Sequence, residues 1–94
     1  MVFDLSEVTG IGDYTQKTEK ERTLYYKGDK VFLVINKHTL ELRTDGELKN
    51  LLIEKYESVM ESRYFGRGGI EIVPAGQLSI DEINDLVRLS YNLS

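Results

Sequence analysis

The chain has 94 residues, a formal net charge of −4 and no cysteine. Its length fits one small domain. The absence of cysteine excludes disulfides, thiolate catalysis and cysteine-based zinc sites, and the acidic total argues against a general electrostatic attraction for nucleic acid.

The composition favours a cytoplasmic protein that does not enter a membrane. Small secreted domains usually depend on disulfides, which this chain cannot form. Residues 1–7 have no basic segment followed by a long apolar run, so they do not resemble a signal peptide. No window of the sequence has the apolar length that a bilayer-spanning helix needs.

The first nineteen residues allow two interpretations. They form either a flexible arm or a short edge strand that contains Val2, Phe3, Leu5 and Val8. Residues 9–13 contain two glycines and predict a turn. Residues 16–22 are polar and charged, which is typical of a mobile loop or of the frayed start of a strand.

A three-stranded antiparallel meander is predicted for residues 23–43. Residues 23–27 and 30–36 are rich in β-branched and aromatic side chains, and Gly28-Asp29 between them suits a tight hairpin. Residues 30–36 are apolar on both faces, which indicates a central strand. After a turn at residues 36–38, residues 39–43 alternate with Leu40 and Leu42 directed inward.

Two helices are predicted, each opened by a capping box. In the first box the Thr44 hydroxyl and the Glu47 carboxylate cap each other's backbone amides, and Ser79 and Glu82 repeat the pattern. The first helix is expected to end near Glu61. Its apolar stripe consists of Leu48, Leu51, Leu52, Tyr56, Val59 and Met60.

The predicted fold class is α+β, as a single domain over residues 1–94. Ile70 and Ile72 alternate around Glu71 in a short strand between the two helices. The element order is therefore β-β-β-α-β-α, with an optional extra N-terminal strand. An antiparallel sheet with both helices packed on one face buries all the apolar stripes.

The segment 62–69 is the predicted binding loop. It combines two arginines, two aromatic residues and three glycines, so its arginines are suited to contact phosphates while Tyr64 or Phe65 stacks on a base. In the alternative interpretation, Tyr64 or Phe65 closes the end of the core and the glycines only form a tight turn. The candidate binding residues are Arg63, Tyr64, Arg67, Gly68, Arg43 and Lys37.

Neither a catalytic nor a metal site is predicted, and no cofactor is expected. His38 is the only histidine and lies in a predicted turn, where a solvated histidine is the usual case. The acids at the start of the last helix are explained by the helix dipole. The sequence therefore predicts a protein that is not an enzyme.

Several short motifs resemble the MmcQ/YjbR family. They are Lys30-Val31-Phe32 before Leu40-Glu41-Leu42, the helix start Asp45-Gly46-Glu47-Leu48, a basic glycine-containing loop that leads into Ile70-Glu71-Ile72, and the final Leu89-Ser90-Tyr91. The resemblance covers roughly residues 23–94. It implies a double-wing α+β fold and DNA binding.

Three functions follow as hypotheses. The first is nucleic-acid binding through the loop and the neighbouring basic residues. The second is a protein-protein interaction or homo-oligomerisation through the N-terminal segment or an exposed strand edge. The third is small-molecule binding between the helices and the sheet, for which the sequence offers no convergent polar groups.

Overall fold

The computed structural model describes residues 3–74 and 76–94 and confirms the predicted α+β fold class. In this part of the chain, a six-stranded antiparallel sheet carries two helices on one face. The strands are β1 (Thr15–Thr18), β2 (Arg22–Lys27), β3 (Lys30–Asn36), β4 (Leu40–Arg43), β5 (Val59–Ser62) and β6 (Gly66–Ile72), and the helices are α1 (Gly46–Lys55) and α2 (Ile80–Leu93). The sheet order is β1-β2-β3-β4-β6-β5.

The central strand β3 supplies apolar side chains to both faces of the sheet, as predicted. An irregularity in the β2–β3 pairing lies between Tyr25 and Tyr26. It places Phe32 and Leu33 in the large hydrophobic cluster under the helices. Val31 and Val34 belong instead to a small cluster on the opposite face, which we call the second face. The centre of the sheet therefore has apolar side chains on both faces, and other parts of the chain must pack against each face.

The N-terminal segment lies on the body of the domain. A short 3₁₀ turn spans Leu5–Glu7, and Leu5 and Val8 are buried in the large cluster. The prediction of a strand through Phe3, Leu5 and Val8 is therefore wrong, and Val2 lies outside the described residues. The extra N-terminal strand is β1, which overlaps the polar stretch interpreted as a mobile loop or the frayed start of a strand, and its backbone pairs with β2.

The first helix is shorter than predicted, and a strand follows it. It ends at Lys55 instead of near Glu61, and Val59 and Met60 lie in β5, where they pair with β6. Pairing with β5 satisfies backbone groups of β6 that would otherwise lack partners. Leu51, which the predicted stripe included, is exposed.

The cap of α1 also differs from the prediction. The Asp45 carboxylate accepts a hydrogen bond from the Leu48 amide at 2.8 Å, so Asp45 is the N-cap and Thr44 is not. The second capping box, between Ser79 and Glu82, is present as predicted. Neither helix of the described chain is long and apolar enough to cross a bilayer.

Candidate functional site

The predicted binding loop forms the tip of the β5–β6 hairpin and folds over the second face. Phe65 packs against the small cluster of Leu24, Val31 and Val34. Gly66 at the turn has φ +61°, a value that glycine adopts without strain. This burial of Phe65 corresponds to the alternative in which an aromatic side chain closes a core, whereas Tyr64 beside it stays exposed.

A cleft of about 740 Å³ lies between this tip and two neighbouring turns. The β1–β2 turn forms one wall, the β3–β4 turn forms another, and neither helix contributes to the lining. We call it the open-face cleft. Its charged lining residues are four cations, Lys20, Arg22, Lys37 and Arg63, and three acids, Glu19, Glu21 and Glu41.

Glu41 forms the floor of the cleft and is only 2% exposed. One carboxylate oxygen accepts hydrogen bonds from the Ser62 hydroxyl and the Tyr64 amide, both at 2.8 Å. The other accepts from the Asn36 side-chain amide at 2.8 Å. Three donors compensate the burial of this carboxylate, and they also fix the backbone of the hairpin tip above it.

Glu71 lies directly opposite Glu41 on the neighbouring strand β6 and is also 2% exposed. Its carboxylate accepts from Arg63 Nε at 3.0 Å and Nη2 at 2.7 Å, and from the Thr39 hydroxyl at 2.7 Å. The Arg63 hydrogen bonds are the main reason that the pKa of Glu71 is lowered, against the opposing effect of burial. Arg63 thereby balances the charge of a buried acid while 77% of its own side chain faces solvent.

Tyr64 presents the exposed aromatic ring of the site. Its ring packs edge-on against Phe65, with centroids 4.9 Å apart, and the Arg22 guanidinium lies over it at 5.3 Å. Arg22 is also paired with Glu19 at 2.7 Å. Nucleic-acid bases stack both on aromatic rings and on guanidinium planes. The Tyr64 ring and the Arg22 guanidinium therefore form a platform suited to base stacking.

The structure brings three of the six candidate binding residues together and separates the others. Arg63, Tyr64 and Lys37 line the open-face cleft. Arg43 lies on the far side of Tyr64, where its Nε donates to the Val31 carbonyl at 2.8 Å and its guanidinium covers the Phe65 ring. Arg67 and Gly68 are exposed on β6 and outside this cleft.

Sequence reasoning missed the buried pair Glu41 and Glu71. Each lies between two apolar residues of an alternating strand, in Leu40-Glu41-Leu42 and Ile70-Glu71-Ile72. Alternation predicts such a glutamate on the solvent side. The repetition of one pattern in two strands was the available signal, because pairing these strands in register sets the two acids side by side.

The cleft also contains the one histidine of the chain. His38 lies at its rim in the β3–β4 turn. Within residues 3–74 and 76–94, no group of three or more histidine or acidic side chains is placed to hold a metal ion. The side chains that line the cleft are four cations, three acids, the polar side chains of Asn36, His38 and Thr39, and one aromatic ring.

A scan against protein-family models, a search of curated proteins and a search of solved structures gave no match to this chain.

Proposed function

We propose that this domain is a non-enzymatic module that binds single-stranded nucleic acid in the open-face cleft. The observation that carries the proposal is the exposed Tyr64 ring, which has Arg22 above it and two further cations, Lys37 and Arg63, in the same lining. Sites for single strands combine aromatic stacking with a positively charged path for the backbone. The resemblance to MmcQ/YjbR proteins implies DNA binding and so supports the nucleic-acid part of this proposal.

The local charge supports the proposal although the whole chain is acidic. The cleft lining carries four cations and three acids, and the charge of Arg63 is balanced by its partner Glu71, so the cleft is close to neutral against −4 for the chain. Of those acids, Glu19 is paired with Arg22 and Glu41 is buried under three donors. Lys20 and Lys37 make no ion pair in the described chain and can meet phosphate.

The position of the helices favours a single strand over duplex DNA. A helix that reads duplex DNA usually enters the major groove. Here both helices pack against the other face of the sheet, and the cleft is bordered by turns and the hairpin tip. Turns around an aromatic platform suit splayed bases better than a stacked duplex.

The direct test is a fluorescence-anisotropy titration with labelled single-stranded DNA, single-stranded RNA and duplex DNA. We expect the single strands to bind more tightly than the duplex. Their affinity should fall between about 50 mM and about 200 mM salt, because phosphate contacts release counterions. Absence of binding to any of the three at the lower salt would reject the proposal.

Pairs of matched variants test whether the open-face cleft is the surface that binds nucleic acid. Tyr64→Leu should weaken binding about 5- to 150-fold, the range for the loss of one stacked base. Tyr14→Leu is its control, since Tyr14 is equally exposed (37% against 39%) and lies outside the cleft. Lys37→Gln should flatten the salt dependence, whereas Lys55→Gln, which removes the same charge on α1, should not.

A second candidate function, strand addition by a protein partner or a second copy, rests on the edge strand β1. Its four side chains are all exposed, and in the described chain it pairs only with β2. Outward-facing amides of an edge strand can pair with an added strand. Light scattering over a range of concentrations tests for the homodimer, and a constant monomer mass would reject it.

Two neighbouring substitutions give this test a built-in control. Neighbouring backbone amides of a strand point in opposite directions, so of residues 16 and 17 one directs its N–H outward and the other directs it toward β2. Proline has no N–H. One of Gln16→Pro and Lys17→Pro therefore removes an outward donor, and the other disrupts the pairing with β2. The outward variant should abolish association while the fold is kept. Deletion of residues 1–19 is unsuitable, because it also removes Leu5 and Val8 from the core.

A further inference from the structure

A second, smaller cleft adjoins the first on the other side of Tyr64. It has a volume of about 320 Å³ and lies on the second face, between the β2–β3 turn and the end of α2. Tyr64 lines both clefts, so they meet at this residue. The lining of the second cleft is Tyr26, Asp29, Lys30, Val31, Arg43, Tyr64, Leu93 and Ser94.

Two cations give the second cleft the same chemistry as the first. Arg43 makes two contacts within the domain: Nε donates to the Val31 carbonyl, and the guanidinium lies 4.9 Å from the centre of the Phe65 ring. Both of its Nη groups are without a hydrogen-bond partner in the described chain. Lys30 is exposed and forms no ion pair there, and Asp29 is the one acidic side chain of the lining.

An aromatic side chain accompanies these cations. Tyr26 lies on β2 and packs beside the small cluster that Phe65 covers. Its ring is half-buried, so part of it is available in the cleft. The second cleft therefore repeats the combination of an aromatic ring and cations that carries the proposed function.

We propose that a single strand held in the open-face cleft passes over Tyr64 into this second cleft, where Arg43 and Lys30 bind its phosphates and Tyr26 contacts a base. The inference rests on the proposed function and extends it. It assigns a binding path instead of one pocket, with Tyr64 at its centre. The path covers the second face from the β3–β4 turn to the β2–β3 turn.

Oligonucleotide length separates the two clefts experimentally. The probes are labelled oligothymidylates of about three and about ten nucleotides, since single-strand sites commonly cover about 4–16 nucleotides. Lys30→Gln should weaken binding of the longer probe several-fold and lower its salt slope by about 0.7, the value for one phosphate contact. The shorter probe, which fills one cleft, should bind to this variant as it does to the wild type.

The controls distinguish failure of this inference from failure of the proposed function. Lys37→Gln should weaken binding of both probes, and Lys55→Gln should weaken neither. If Lys37→Gln has its effect and Lys30→Gln changes neither probe, or changes both equally, the path into the second cleft is wrong and the first cleft stands. If the wild type binds neither probe at low salt, both proposals are overturned. All three lysines are exposed, and equal melting temperatures will verify that folding is unchanged.

Discussion

Glu41 and Glu71 are direct cross-strand neighbours in β4 and β6, and both are almost completely buried. Like charges in this position repel each other. The structure separates their donors: Asn36, Ser62 and the Tyr64 amide serve Glu41, and Arg63 serves Glu71. The side chains of Asn36 and Thr39 then link the two carboxylates into one network.

This network makes the stability of the domain sensitive to acid. The pKa of Glu71 is lowered from its ordinary value of 4.5, chiefly by Arg63. The unfolded state therefore binds a proton more readily than the folded state does, so the stabilisation is complete above about pH 4.5 and is lost as the pH falls through the lower, folded pKa. Glu71→Gln should have a lower melting temperature at pH 7 and a smaller further decrease between about pH 5 and pH 3. Glu47→Gln, an exposed change on α1, should follow the wild-type curve. A Glu71→Gln curve parallel to that of the wild type would show that the Arg63 pairing contributes nothing.

The contact between the hairpin tip and the sheet depends on Gly69. A Cβ at this position would lie 2.5 Å from the Leu42 carbonyl oxygen and 2.7 Å from Phe65 Cβ. Gly69→Ala should therefore destabilise the domain by about 1–3 kcal/mol, the usual range for overpacking. It should also weaken nucleic-acid binding, because Phe65 anchors the tip that presents Tyr64. Gly68→Ala is the control, since its Cβ would meet only the Phe65 carbonyl oxygen at 3.6 Å. Denaturant unfolding measures the stabilities of both variants. Equal stabilities would contradict the close approach of residue 69 to Leu42 and Phe65.

Local patterns were sufficient to predict the hairpin of β2 and β3, the strand β4 and the helix α2. Each of these elements has its own turn or cap signal beside a clear periodicity. The boundary between α1 and β5 was not predictable in this way, because Val59 fits both a helical stripe and a strand. Its place in β5 depends on pairing with β6, which lies later in the chain.

The candidate site was predicted only in part, because some of its residues are brought together by pairing between strands that are distant in the sequence. Arg63 and Tyr64 were identified because a basic, aromatic and glycine-rich loop is a local feature of the sequence. Glu41 and Glu71 were missed because their proximity depends on β4 lying beside β6, with α1 and β5 between them in the chain. The separation of Arg43 from Arg63 by Tyr64 is likewise a result of tertiary structure.

Ser90 attaches α2 to the centre of the sheet. Its buried hydroxyl donates to the Phe32 carbonyl at 2.6 Å and accepts from the Arg43 amide at 2.7 Å. Ser90→Ala should lower the free energy of unfolding by about 1–3 kcal/mol, because two backbone groups lose their partner. Asn92→Ala, an exposed change in the same helix, should stay within about 0.5 kcal/mol of the wild type. Chemical denaturation measures both, and a Ser90→Ala variant as stable as Asn92→Ala would mean that water replaces the hydroxyl.

The start of α1 provides a test between the sequence prediction and the structure. A capping box would make Thr44 the N-cap, whereas the structure assigns this role to Asp45 and gives the buried Thr44 hydroxyl no hydrogen-bond partner among residues 3–74 and 76–94. Asp45→Ala should cost about 1 kcal/mol of stability, the typical value of an N-cap. Thr44→Val keeps the shape of the side chain and removes an unsatisfied hydroxyl, so stability should be unchanged or higher. Thermal unfolding of the two variants distinguishes the alternatives, because a capping box requires the larger loss at Thr44. That outcome would move the start of the helix back by one residue.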